Sequence, residues 1–133
     1  MSTDNVEILR RGYEAFAARG VDGFLEYIHP EFELVTPPGL ALEPQTYRGH
    51  EGVRRYFESF YEAVDEIRVE PDEFIPVGEK VIVPFRLTTR GRTSGIEASM
   101  RAVQVCQIRD GKAIRFDIYP NLEEARAAAE AAA

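Results

Sequence analysis

A carboxylate and an amide near the end of the chain have the types and spacing to act together on one small molecule. Asp117 lies in the stretch IRFDIYPN, where apolar and polar residues alternate with the period of two that is typical of a half-buried β-strand. The preceding Asp110-Gly111 pair favours a two-residue type I′ hairpin turn. Such a turn places Gln104 directly opposite Asp117.

This pairing would give one face of the hairpin the character of a ligand cavity. Opposed side chains in a sheet lie about 5 Å apart at Cβ, and the same face carries the small residues Ala102 and Ala113. In a cavity, Asp117 could move a proton next to a carbonyl that Gln104 orients. Two alternatives stay open: the face is exposed and Asp117 pairs with Arg115, or a one-residue slip moves Gln104 to the other face.

The composition excludes several classes of function. The chain has 133 residues, the size of one domain, and a formal net charge of -7. That charge argues against nucleic acid and against an anionic membrane surface. The single cysteine, Cys106, is expected to be a small core residue. His29 and His50 lack metal-ligand spacing, so we expect no metal, and proton transfer by a carboxylate needs no cofactor.

The N-terminal sequence and the hydropathy predict the cellular location of the protein. The N-terminal sequence MSTDNVEILRRGYEAF has acids and arginines at helical spacing, which is not the pattern of a signal peptide. No apolar stretch approaches the roughly 20 residues of a membrane span. We therefore predict a cytoplasmic protein.

The periodicity predicts an α+β fold with a mostly antiparallel sheet. A first helix ends at Gly20, a second covers about 21–28, and a third covers about 51–64. Strands are predicted at 31–35 and near 67–75, 81–90, 96–109 and 113–119, with a proline-rich loop over 36–49. The end of the chain, LEEARAAAEAAA, is predicted to be an alanine-rich helix or a fraying tail with little to bury, and its residues 127–133 lie beyond the core of the domain.

Four motifs in order, YRGHEGVRRYF, VEPDEFIPVGEKVIV, GRTSGIE and IRDGKAIRF, resemble the SnoaL-like branch of the nuclear transport factor two-like superfamily. The resemblance covers about residues 5–126 of a single domain, 1–133. It implies a cone, in which a strongly bent sheet and three N-terminal helices enclose a pocket. It also implies a homodimer through the outer sheet face. Ketosteroid isomerases and polyketide cyclases share this fold, which by itself does not fix function.

The resemblance assigns roles to single residues. Tyr13 matches the tyrosine that donates to the oxyanion in ketosteroid isomerases, but Thr36 stands where those enzymes keep their aspartate base. Asp117 and Gln104 match the acid/base and the neighbouring glutamine of polyketide cyclases. Asn121, where many relatives have an aspartate, is expected to cap the final helix.

We predict Asp117, Gln104 and Tyr13 as catalytic residues, and seven others as the ligand pocket. The pocket residues are Phe16, His50, Tyr56, Arg86, Met100, Ala102 and Tyr119. For His50, capping of the third helix is the alternative, and the face that Arg86 occupies stays open.

The predicted function is the binding of a small, largely apolar molecule, with Asp117 as the acid/base of a cofactor-independent cyclase or isomerase. The alternative is a non-catalytic module that binds a small ligand or a partner.

Overall fold

A computed structural model describes residues 2–36 and 46–131 of the chain. Its helices are α1 (Ser2–Arg19), α2 (Val21–Leu25), α3 (Gly49–Ala63) and α4 (Leu122–Ala131). Gly20 separates the first two helices with a left-handed backbone, φ 67°, that favours glycine. Within these residues, no helix is long and apolar enough to cross a membrane.

Within the described residues, seven strands form one curled sheet. They are β1 (Ile28–Val35), β2 (Thr46–Arg48), β3 (Val64–Pro71), β4 (Ile75–Val77), β5 (Lys80–Gly91), β6 (Glu97–Arg109) and β7 (Lys112–Tyr119). The order is β2-β1-β7-β6-β5-β3, with β4 paired to β5. Only the β1–β7 pair is parallel among these pairings, so the predicted α+β class with a mostly antiparallel sheet is confirmed.

The loop predicted over 36–49 falls largely outside the described residues, which omit 37–45. Its last part forms β2, a three-residue strand that the sequence pattern did not predict. β2 pairs with β1 through Glu33 opposite Arg48 and Val35 opposite Thr46. β2 therefore extends the sheet directly before the chain enters α3.

The hairpin between β6 and β7 decides which side chains share a face. Asp110 and Gly111 both have positive φ, 53° and 76°, so the predicted type I′ turn is present. Beyond Ile108 opposite Ala113, however, the register shifts by one residue. The extra residue is Ile114, in a β-bulge that turns the rest of β7 over.

The two faces of the sheet carry separate apolar clusters. The inner face packs against α1, α2 and α3 around the fully buried Ile28, Phe32, Val53 and Cys106, and the core position expected of that cysteine is observed. The outer face is covered in part by α4.

The C-terminal helix buries more than its composition predicts. Ala125 and Ala129 are fully buried against Ile82, Val103 and Val105 on the outer face. The expectation that this segment has little to bury is therefore wrong. Asn121 caps the helix as expected: its Oδ1 accepts a hydrogen bond from the Glu124 backbone N–H at 2.9 Å.

Candidate functional site

A cavity of about 160 Å³ lies between α1, α3 and the inner face of the sheet. Aromatic rings dominate its wall, because seven of the eight phenylalanines in the chain contribute to it. These are Phe16, Phe24, Phe32, Phe57, Phe60, Phe85 and Phe116. None of the described residues that line this cavity carries a charge.

The polar end of the cavity is formed by a tyrosine of α1 and a glutamine of β6. The Tyr13 hydroxyl donates to Gln104 Oε1 at 3.2 Å, and the Cys106 thiol donates to the same oxygen at 3.7 Å. Neither bond uses Gln104 Nε2, although Gln104 is only 8% exposed. Two donors on Oε1 fix the amide orientation and leave Nε2 as a donor.

Burial keeps the ionisable groups at this polar end neutral. It raises the pKa of the Tyr13 hydroxyl well above its usual value, and the nearby Cys106 raises it further. Burial likewise raises the pKa of the Cys106 thiol, with a smaller contribution from the charge of Asp117. Both groups are therefore hydrogen-bond donors at neutral pH rather than bases or nucleophiles.

Tyr56 of α3 also lines the cavity. Burial, followed by the neighbouring Tyr47, raises the pKa of Tyr56 to about 12. Its ring lies about 5 Å from those of Tyr47 and Phe60 (5.0 and 5.1 Å between centroids) and holds α3 against β2. Thr36 is also buried in the cavity wall.

Asp117 lies on the opposite face of the sheet from Gln104. It pairs with Val105 of the outer cluster, whereas Gln104 pairs with Ile118, so the predicted Gln104–Asp117 pair is wrong. The physical reason is the bulge at Ile114, which inverts β7 but leaves β6 as predicted.

The Asp117 carboxylate is instead held by a guanidinium. Arg115 donates to both of its oxygens, from Nε at 2.8 Å and from Nη2 at 3.0 Å. Arg115 also lies 3.3 Å from Glu33, which is 3.2 Å from Arg48. The hydrogen bond with Asp117 is the main reason that the pKa of Arg115 is raised. This is the pairing that the sequence left open as the alternative.

Four of the seven predicted pocket residues line the cavity: Phe16, Tyr56, Met100 and Ala102. The other three are not among its described lining residues. His50 donates through Nε2 to the Ile28 carbonyl at 3.0 Å and ties α3 to β1. Arg86 is exposed on the outer face, between the cavity residues Phe85 and Leu87. Tyr119 packs against the outer cluster.

Phe116 and Ile118 line the cavity, although a regular strand with Asp117 opposite Gln104 would place them on the other face. A signal for this was present in the spacing of β7. Ala113 is small and apolar, as expected for the face that carries Ala102. Phe116 and Ile118 follow three and five residues later, so a regular strand would put them on the other face. Apolar positions that change from odd to even along one strand indicate a bulge between them.

The comparisons with known proteins agree with this architecture. The family model of the SnoaL-like domain matches residues 9–116, and the chain belongs to this family. Among curated proteins, the sequence comparison finds no match.

Three solved structures illustrate the similarity. An NTF2-like protein of unknown function from Burkholderia pseudomallei K96243 is 28% identical, over 91% of this chain and 93% of that chain, with a TM-score of 0.77. TerC, co-crystallized with polyporic acid, is 28% identical, over 96% and 98%, with a TM-score of 0.77. A putative SnoaL-like polyketide cyclase from Jannaschia sp. CCS1 is 22% identical, over 98% and 94%, with a TM-score of 0.73, and shares the fold.

Proposed function

We propose that this protein binds a small, neutral, aromatic molecule in the inner cavity and that Gln104 Nε2 donates a hydrogen bond to a carbonyl of that molecule. The observation that carries the proposal is a cavity walled by phenylalanines with one oriented amide donor at its end. Apolar walls with a few placed polar groups are the usual composition of small-molecule sites.

The uncharged lining of the cavity favours an uncharged ligand. An anion or cation would lose its hydration among these rings without finding an opposite charge in the described wall. A neutral carbonyl needs only one donor, which Gln104 supplies. The volume of about 160 Å³ suits one substituted ring, since an engineered cavity of about 150 Å³ binds benzene.

The geometry supports binding better than proton transfer. A cyclase or isomerase of the predicted type needs an acid/base beside the ligand carbonyl, and Asp117 lies on the other face in an ion pair with Arg115. Tyr13 stays protonated at neutral pH and acts as a hydrogen-bond donor. We therefore favour the non-catalytic alternative, a ligand-binding module.

One relative supports a small organic molecule as the ligand. TerC was co-crystallized with polyporic acid and is 28% identical to this chain over almost the whole length of both.

The proposal is tested with two probes of similar shape, acetophenone and ethylbenzene, of which only the first has a carbonyl. We expect Gln104→Leu to weaken acetophenone binding about five- to tenfold, the value of one hydrogen bond, and to leave ethylbenzene binding unchanged. Isothermal titration calorimetry measures both. Gln107→Leu is the matched control, because Gln107 lies on the same strand opposite the outer-face Arg115.

The experiment has clear contrary outcomes. If neither probe binds the wild type, the cavity is not a site for ring-sized aromatic molecules. If acetophenone binds but Gln107→Leu weakens it as much as Gln104→Leu, the ligand lies elsewhere. If acetophenone is chemically converted by the wild type, the non-catalytic reading is wrong.

A further inference from the structure

The amide oxygen at the polar end of the cavity is already fully used within the protein. Gln104 Oε1 accepts hydrogen bonds from the Tyr13 hydroxyl at 3.2 Å and from the Cys106 thiol at 3.7 Å. An amide oxygen has two lone pairs, so this oxygen has no acceptor capacity left for a ligand. Gln104 therefore offers a ligand only the donor of its Nε2.

The Nε2 donor of Gln104 faces open space. Among the described residues, every fully enclosed side-chain nitrogen or oxygen has a hydrogen-bond partner. Nε2 has no partner among them, so it is not fully enclosed, although Gln104 is only 8% exposed. Gln104 lines the inner cavity, and this cavity is therefore the space that Nε2 faces.

The Tyr13 oxygen supplies an acceptor beside this donor. The hydroxyl gives its one proton to Gln104, so toward any other group its oxygen acts as an acceptor. Burial raises the pKa of Tyr13 well above its usual value, so the hydroxyl keeps that proton at neutral pH. The Tyr13 ring also lines the cavity, and its edge-to-face contact with Phe74, 5.9 Å between ring centroids, holds it in place.

The donor and the acceptor lie close enough for one small group to use both. Nε2 and Oε1 belong to the same amide and are separated by roughly 2.2 Å at standard bond lengths. Since Oε1 lies 3.2 Å from the Tyr13 oxygen, Nε2 and that oxygen are at most about 5.4 Å apart. A carboxamide carries its own oxygen and nitrogen at the same separation of roughly 2.2 Å. One carboxamide can therefore hydrogen-bond to both atoms.

We propose that the ligand of this cavity carries an N–H or O–H donor directly beside its carbonyl, as an aromatic carboxamide does, and that the Tyr13 oxygen accepts a hydrogen bond from this donor. The carbonyl itself binds Gln104 Nε2, as in the proposed function on which this ligand class rests. As an acceptor, Tyr13 has the reverse of the donor role that the family resemblance implies. A carboxylic acid has a similar shape, but it is ionised at neutral pH and no described lining residue neutralises it.

Benzamide and acetophenone test this pairing, because they differ only by an amino group in place of a methyl group. In protein labelled with ¹³C at tyrosine Cζ, each of the six tyrosines gives a signal that responds to hydrogen bonding of its oxygen. Tyr13→Phe identifies the Tyr13 signal by its loss. We expect benzamide to shift this signal well beyond the shift that acetophenone causes, since both place a ring in the cavity but only benzamide donates to the oxygen. Tyr27, which also lines the cavity, is the control and should respond alike to both.

Isothermal titration calorimetry measures the same interaction as an affinity. We expect Tyr13→Phe to weaken benzamide binding about five- to tenfold more than acetophenone binding, the value of one hydrogen bond. Tyr119→Phe is the control, because Tyr119 packs against the outer cluster and should leave the ratio of the two dissociation constants unchanged. Thermal unfolding verifies that both variants are folded.

The contrary outcomes separate this ligand class from the proposed function. If acetophenone binds through Gln104 but benzamide does not bind, the proposed function holds and the carboxamide class is wrong. The same conclusion follows if both probes shift the Tyr13 signal equally, or if Tyr13→Phe leaves the ratio of dissociation constants unchanged. If neither probe binds, both proposals fail together.

Discussion

Tyr13 and Gln104 form the polar end of an otherwise apolar cavity. The Tyr13 hydroxyl donates a hydrogen bond to Gln104 Oε1. A buried amide oxygen that loses a donor costs about 1–3 kcal/mol, more than the net value of the bond itself. Oε1 of Gln104 has two donors, Tyr13 and Cys106, of which the thiol is the weaker. The stability of this end should therefore depend mainly on the tyrosine.

A double-mutant cycle measures this dependence. We expect Tyr13→Phe to lower the free energy of unfolding by about 1–2 kcal/mol in the wild type and by much less in a Gln104→Leu background, where no amide is left unpaired. Urea unfolding gives the four values. Tyr27→Phe, a second tyrosine of the cavity wall, is the control and should be additive with Gln104→Leu. Additivity for Tyr13 as well would show that the hydrogen bond carries no energy.

The buried tyrosines also predict how stability depends on pH. The pKa of Tyr56 is raised to about 12 in the folded state, whereas in the unfolded chain it is about 10. Above about pH 10, Tyr56 loses its proton in the unfolded chain but keeps it in the folded protein. The free energy of unfolding then falls by up to about 1.4 kcal/mol per pH unit until the folded pKa is reached. Below about pH 10 Tyr56 is protonated in both states, so its full contribution to the free energy of unfolding is present.

Tyr56→Phe tests this assignment. Between pH 10 and 12 the variant should lose stability less steeply than the wild type, while below pH 9 the two slopes should agree. Denaturant unfolding at a series of pH values measures both. Equal slopes across the whole range would mean that Tyr56 ionises in the folded protein as readily as in water.

At the scale of elements, the sequence predicts α1, α3 and the four antiparallel strands β3 and β5–β7 well. Their apolar periods span many residues and depend on local geometry. The bulge at Ile114 was not predicted, because the alternation of Ile114, Phe116 and Ile118 favours a regular strand and only Ala113 departs from it. One inserted residue reverses the face of every later side chain, and it thereby removed Asp117 from the predicted site.

α4 offers a sharp comparison at this scale. We expect Ala125→Glu to destabilise the protein by several kcal/mol, since Ala125 is fully buried against the outer cluster and a carboxylate there would have no partner. Ala127→Glu is the matched control: it lies one half-turn away on the exposed side of the same helix and should change stability by at most about 0.5 kcal/mol. Thermal unfolding distinguishes the two. Equal effects would show that α4 does not dock.

At the scale of the whole molecule, the α+β class follows from the order of helical and strand periods along the sequence, but the pairing that joins β1 to the sheet does not. The parallel pairing of β1 with β7 joins residues about eighty positions apart, such as Val35 and Asp117. No local pattern encodes such a contact. The inner cavity depends on it, because it brings Leu34 of β1 beside Phe116 of β7 in one wall. The cone was expected from the family resemblance, and the residues that fill it were only partly predictable.

The location of a bound ligand tests the central claim most directly. Gln104 and Gln107 lie on one strand, with Gln104 in the cavity wall and Gln107 beside the outer-face groove near Arg115. In a nuclear magnetic resonance titration with acetophenone, we predict that the side-chain amide signals of Gln104 shift and saturate while those of Gln107 do not move. Shifts at Gln107 without shifts at Gln104 would contradict the account, since they would place the ligand on the face that carries Asp117.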